Sequence, residues 1–130
     1  MGVPAAVSGD QVTATCSLHL IPDPATGAPQ PAPPLPFAAP ITLGACASVL
    51  IGGEPAVVLG ASGLNTPPHV GLHPADPFFA PPTELAVVTQ GSSSVLFGGA
   101  PAAGSGATAT CCGQPVGTLT GSGTTVLIGG

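Results

Sequence analysis

Apolar residues in this chain come in short β-branched runs, and Gly or Pro interrupts nearly every window of ten. No stretch carries a 3.6-residue apolar period in helix-forming residues, so the pattern predicts strands and turns. Three runs stand out, SVLI at 48–51, SVLF at 94–97 and TTVLI at 124–128, and each passes straight into Gly-Gly. A glycine pair adopts positive φ without steric penalty, which suits a two-residue hairpin turn. A short return strand follows, with proline near its start, where a missing N–H is tolerated.

The hairpins are copies of one another. VLIGGEPAV at 49–57 recurs as VLFGGAPAA at 95–103, and a third copy opens as VLIGG at 126–130. Its second half stands at the other end of the chain, as Gly2-Val3-Pro4-Ala5-Ala6. From Pro to Gly, residues 4–9, 55–60 and 101–106 are spans of one length. A repeated unit of this size relies on its neighbours to bury its apolar face. A unit split between the two ends needs those ends to meet. The expected fold is therefore all-β: a pseudo-threefold compact cone or prism of three hairpin repeats, closed by pairing of the termini. Residues 1–130 read as a single domain.

Two insertions lie between the hairpins. The first, 21–40, holds Pro29, Pro31, Pro33, Pro34 and Pro36 and reads as polyproline II-like. The second, 66–82, carries Phe78 and Phe79. Both are expected to lie ordered against the body, since Phe37, Phe78 and Phe79 are otherwise exposed apolar anchors.

Composition tests this picture. With 20 glycines and 18 prolines in 130 residues, disorder is the competing expectation. Disordered chains, however, combine low hydrophobicity with high charge, whereas this one is 44% hydrophobic and 4% charged. The chain has no Lys or Arg and five acidic residues. That excludes nucleic acid as a partner, attraction to anionic lipid, a phosphate-loop lysine and lysine imine chemistry. No apolar run is long enough to span a bilayer, and no basic segment precedes an apolar one at the N-terminus. The expectation is cytoplasmic synthesis without a signal peptide and no stable membrane insertion.

Potential metal ligands are few: His19, His69, His73, Cys16, Cys46, Cys111 and Cys112. Four cysteines allow three disulfide pairings, but a reducing compartment and the adjacent Cys111-Cys112 argue against a disulfide framework. After Gly9, Gly60 and Gly106 the chain reaches His19, His69 and Cys112 at offsets of 10, 9 and 6. Equivalent segments of a threefold ring converge at one end, so these three side chains meet near the axis. His73, four residues after His69, is the candidate fourth ligand. Three imidazoles and one thiolate suit a single, structural, tetrahedral Zn²⁺. Cys111 and Cys16 are rivals for the sulfur role, and Cys46 reads as a small buried hydrophobe. No catalytic constellation emerges: Glu54 and Glu84 lie in different segments, and Asp10, Asp23 and Asp76 sit beside turns where carboxylates cap local N–H groups. The chain is read as a non-enzyme.

These repeats resemble those of the PAAR-repeat proteins. The matching stretches are VPAAVSGD at 3–10, VLIGGEPAVVLG at 49–60, VLFGGAPAAGSG at 95–106 and VLIGG at 126–130. The family's GD…CxxH and late CG elements are similar to Gly9-Asp10 through Cys16-Ser17-Leu18-His19, and to Cys112-Gly113. The resemblance implies a β-cone that caps and sharpens the trimeric spike of a contractile injection machine (type VI secretion, extracellular injection system or phage-tail-like). It implies one copy per trimeric, phage-spike-like protein docked through the base of the cone, zinc near the tip, and cargo effectors carried separately. It also implies assembly into a particle delivered outside the cell or into a target cell. Carried onto this sequence, the metal set is His19, His69, His73 and Cys112. The family's arginine is absent, with Val7, Val58 and Gly104 in its place, and Asp follows Gly only at Asp10, with Ala61 and Ala107 elsewhere. The alternative reading is a free-standing zinc-stapled structural or adhesive β-protein with no spike partner.

Overall fold

A computed structural model describes residues 2–17, 19–66, 68–69, 71–80, 83–112 and 114–129. Gly113 and Gly130 of the repeat motifs, Leu18 of the CxxH element and Pro82 of the second insertion lie outside the described residues. Among the described residues there is no α-helix, and the strands form several small antiparallel sheets.

The three hairpins share one register. In β6 (Cys46–Ile51) and β7 (Glu54–Ala56), Ile51 faces Glu54 and Leu50 faces Pro55. In β10 (Leu96–Phe97) and β11 (Ala100–Pro101), Phe97 faces Ala100 and Leu96 faces Pro101. The two ends of the chain make the third: β14 (Gly123–Gly129) pairs with β1 (Gly2–Ala5), Ile128 facing Val3 and Leu127 facing Pro4. Gly52 and Gly53 have φ of 61° and 87°, and Gly98 and Gly99 have 62° and 88°. Two successive positive φ values are what a two-residue type I′ turn requires, and glycine supplies them.

Beyond each proline the three return strands close on one another. Ala6 N–H donates to Ala103 O at 3.1 Å, Ala103 N–H to Val57 O at 3.0 Å, and Val57 N–H to Ala6 O at 2.9 Å. A second triplet closes the ring with its donors running the opposite way round: Ser8 N–H to Pro55 O, Leu59 N–H to Pro101 O and Ser105 N–H to Pro4 O, at 2.8–2.9 Å. Bridges Val7–Ala56, Val58–Ala102 and Gly104–Ala5 run the same way round. Each unit then turns at Gly9, Gly60 or Gly106, with φ of 91–95°, left-handed backbone that an L side chain rarely adopts.

The buried side chains repeat in layers. Ala5, Ala56 and Ala102 pack with Ile51, Phe97 and Ile128. Ala6, Val57 and Ala103 belong to a second cluster with Val12, Ile41, Val88 and Leu119. Small residues sit at the centre because three backbones approach there.

From the three glycines the chain makes three excursions. It leaves on β2 (Gln11–Cys16), β8 (Ser62–Leu64) and β12 (Thr108–Cys111) and returns on β5 (Leu35–Pro40), β9 (Leu85–Val87) and β13 (Gln114–Leu119). β12, β13, β2 and β5 form one four-stranded sheet in that order. The Pro-rich stretch differs from the polyproline II expectation. Within it β3 (Leu20–Pro22) pairs with β4 (Pro29–Pro31), and β5 pairs with β2 along its whole length. Alternation explains this: Pro29 and Pro31 flank Gln30, and Pro36 and Pro40 stand on an edge strand, where a missing N–H leaves no ladder donor unmatched.

Two glycines separate conformational need from spatial need. A Cβ at Gly60 meets nothing, so Gly60→Ala is expected to cost only the left-handed strain of about 1–2 kcal/mol. A Cβ at Gly63 runs into the Pro40 carbonyl, so Gly63→Ala must displace backbone and destabilise more. Thermal melts of both variants check this; equal Tm losses contradict it.

Candidate metal centre

The far ends of the three excursions meet. Cys16 closes β2 and His19 follows it, His69 lies on the segment beyond β8, and Cys112 begins the turn between β12 and β13. One donor atom from each of these four residues lies within 4.8 Å of the other three, in a largely buried cluster. Tetrahedral zinc, with bonds of about 2.0–2.3 Å, needs four donors gathered in this way, and two nitrogens with two sulfurs are one such set.

His19 carries the clearest signature. Its ring is buried, and Nδ1 lies 3.0 Å from Asp76 Oδ2. Nε2 is buried with no hydrogen-bond partner. A carboxylate that fixes Nδ1–H leaves the Nε2 lone pair free, which is how metal-binding imidazoles are commonly oriented. Asp76 is held in turn: Oδ2 accepts Leu20 N–H at 2.7 Å and Oδ1 accepts Phe78 N–H at 2.7 Å. Burial acts to raise the Asp76 carboxyl, but these N–H groups and His19 outweigh it and keep it below the usual carboxylate range.

His69 is oriented the other way. Nε2–H donates to Pro36 O at 2.7 Å, so Nδ1 holds the free lone pair. Nδ1 is buried without a hydrogen bond and 3.2 Å from Glu84 Oε1. Glu84 is wholly buried, and its Oε1 accepts Asn65 Nδ2–H at 2.9 Å and His69 N–H at 2.8 Å, while Oε2 has no partner. The two imidazoles meet edge to face, with centroids 4.6 Å apart.

Charge decides what this arrangement suits. Asp76 and Glu84 are buried in a chain without a single Lys or Arg. Uncompensated buried carboxylates are costly, and the only cations within reach are a protonated imidazole or a metal ion. The Cys112 thiol sits in the same surround: burial, then the charges of Glu84 and Asp76, push it up to about 12. Cys112 also has a φ of 48°, rare for a residue with a side chain. The turn does not call for cysteine, so the thiol is what distinguishes the position. Two imidazoles and two sulfurs in a buried, anionic surround suit a metal ion such as zinc.

Of the four residues expected from sequence, the structure brings His19, His69 and Cys112 together and leaves His73 outside. His73 Nδ1 accepts Ala75 N–H at 3.0 Å and Nε2–H donates to Gly27 O at 3.1 Å, so both nitrogens serve loop contacts. The fourth donor is Cys16, the last residue of β2. Contrary to the expectation of no disulfide, Cys16 is bonded to Cys111, the last residues of β2 and β12 lying with their Cα atoms 6.6 Å apart. A cross-link between residues 95 apart removes roughly 4–5 kcal/mol of unfolded-chain entropy. Cys46 is only half-buried, with Sγ 3.1 Å from Ser48 Oγ, so it is not the core hydrophobe expected. Asp76 and Glu84, expected only as a turn cap and an isolated carboxylate, are instead packed against His19 and His69. The available signal was that two of only five acidic residues bracket the segment following His69.

Comparison of the chain with protein-family models, with curated proteins and with solved structures finds no match.

Reduced protein is expected to bind one zinc per chain in competition with a chelating dye. Asp76→Asn should weaken binding by about 10–100-fold, since it removes the carboxylate that orients His19 and leaves all four donors in place. Equal affinities for the two proteins contradict the assignment of His19.

Proposed function

We propose that this protein is a metal-stapled structural tip that caps a threefold-symmetric, trimeric spike of a contractile injection machine. The observation that carries the reading is the position of its exposed leucines. Leu50, Leu96 and Leu127 are 59%, 58% and 62% exposed and occupy the same register position in the three hairpins. One chain thereby presents three equivalent apolar side chains to three identical subunits. Burying the exposed part of each contributes about 1–2 kcal/mol, and the trimer gains all three at once. A cone with its base on the spike follows from this docking, with one copy per trimer.

The metal acts structurally in this reading. His19, His69, Cys16 and Cys112 would hold it, and it would supply a cross-link among the three excursions. The chain's own residues position the donors: Asp76 orients His19, and the Pro36 carbonyl fixes His69. Four donors would fill a zinc shell, so no open position is assigned to chemistry. The absence of Lys and Arg limits adhesion to anionic membranes crossed by the tip.

The test is sedimentation of the reduced, zinc-loaded protein with a purified trimeric spike from the same genome. One chain per trimer is expected, and Leu50→Asp, Leu96→Asp and Leu127→Asp combined should abolish binding without lowering Tm by more than a few degrees. Unchanged binding of the triple variant contradicts the docking face. A stable zinc-loaded monomer that binds no spike favours a free-standing stapled β-protein instead.

A further inference from the structure

Cys16 is claimed twice. Its sulfur is one of the four donors gathered within 4.8 Å, and the same sulfur is bonded to Cys111. A metal takes the thiolate, and a disulfide sulfur has no thiolate charge to give. The two arrangements exclude each other in any one molecule.

We propose that the cluster is a redox-gated metal site, in which reduction of the Cys16–Cys111 pair opens it to a zinc-class cation and oxidation of the pair expels that cation. This rests on the metal reading above and adds its regulation. The placement of the cysteines supports it. Cys111 and Cys112 are consecutive and both buried, at the end of β12 and the start of its turn, so Cys16 faces two sulfurs. With Cys111 it forms a covalent bond; with Cys112 and the two imidazoles it completes a donor set. Either choice ties the end of β2 to the end of β12. The fold therefore exchanges one staple for another and stays closed in both states.

The oxidation balances with a peroxide-class oxidant. The metal-bound Cys16 thiolate, the Cys111 thiol, one proton and one hydrogen peroxide give the disulfide and two waters. Two electrons pass from the two sulfurs to the peroxide oxygens. The metal retains only His19, His69 and Cys112. Its affinity falls by at least the roughly 10–100-fold that losing an outer partner alone would cost. A dithiol reductant reverses the step by thiol–disulfide exchange and returns both protein thiols.

The experiment uses the full chain, reduced and loaded with zinc alone, then titrated with hydrogen peroxide. Zinc release is followed with a chromogenic chelator, and the disulfide is located by peptide mass mapping. Wild type is expected to release zinc one-for-one with formation of Cys16–Cys111, to keep a cooperative melt, and to reload after dithiothreitol and zinc. Cys111→Ser is expected to hold its zinc at the same dose. Zinc retained in wild type after the disulfide has formed overturns the proposal, and that arm needs no variant. Release from Cys111→Ser as fast as from wild type also overturns it. Reduced wild type that takes up no zinc removes the metal reading itself, a result distinct from binding without gating.

Discussion

Three amides at the middle of the molecule, those of Ala6, Val57 and Ala103, each donate to the next unit's carbonyl and close a ring. A ring of this kind has no end from which to fray. Taking one unit out breaks two of the three bonds and leaves a buried N–H and a buried C=O unpaired. Each orphaned group costs about 1–3 kcal/mol, more than the bond itself contributes net. The ring also dictates the side chains around it. Three backbones that close need small residues at their centre, and Ala and Val occupy it. With four Phe and neither Trp nor Tyr, the chain has little large-residue burial to offer in its place.

The position of the site follows from the ring. Each unit leaves it through a glycine at the same distance from its proline, so β2, β8 and β12 depart as threefold equivalents. Among the described residues their far ends show no comparable threefold backbone ring, and it is there that Cys16, His19, His69 and Cys112 gather. One end of the molecule is held by peptide hydrogen bonds and the other by side-chain chemistry. The anionic surround of Asp76 and Glu84 explains why a simple apolar plug does not suit the second end. Two buried carboxylates leave a demand for positive charge that no Lys or Arg can meet.

Much of the ring was legible in the sequence because its constraints act on local residue type. Gly-Gly before Glu54 and Ala100 announces the turns, and the equal spans from Pro to Gly announce the closure. The convergence of His19, His69 and Cys112 follows from the same equivalence. The fourth donor was not legible in this way. His73 stands four residues from His69, but a loop lets its ring turn toward Gly27, whereas Cys16 is aimed by a strand. Asp76 and Glu84 act across 57 and 15 residues on His19 and His69, distances over which sequence spacing carries no geometry. The return strand β5 was hidden by its prolines, which an edge position tolerates.

The claim on which everything else rests is the closed ring, and amide hydrogen exchange tests it residue by residue. The amides of Ala6, Val57 and Ala103 should be among the slowest in the molecule and exchange at a common rate set by global unfolding. Ala6 and Val57 amides that exchange orders of magnitude faster than that of Ala103 contradict the account, because the N-terminal unit, which holds both of those bonds, would then open without the other two.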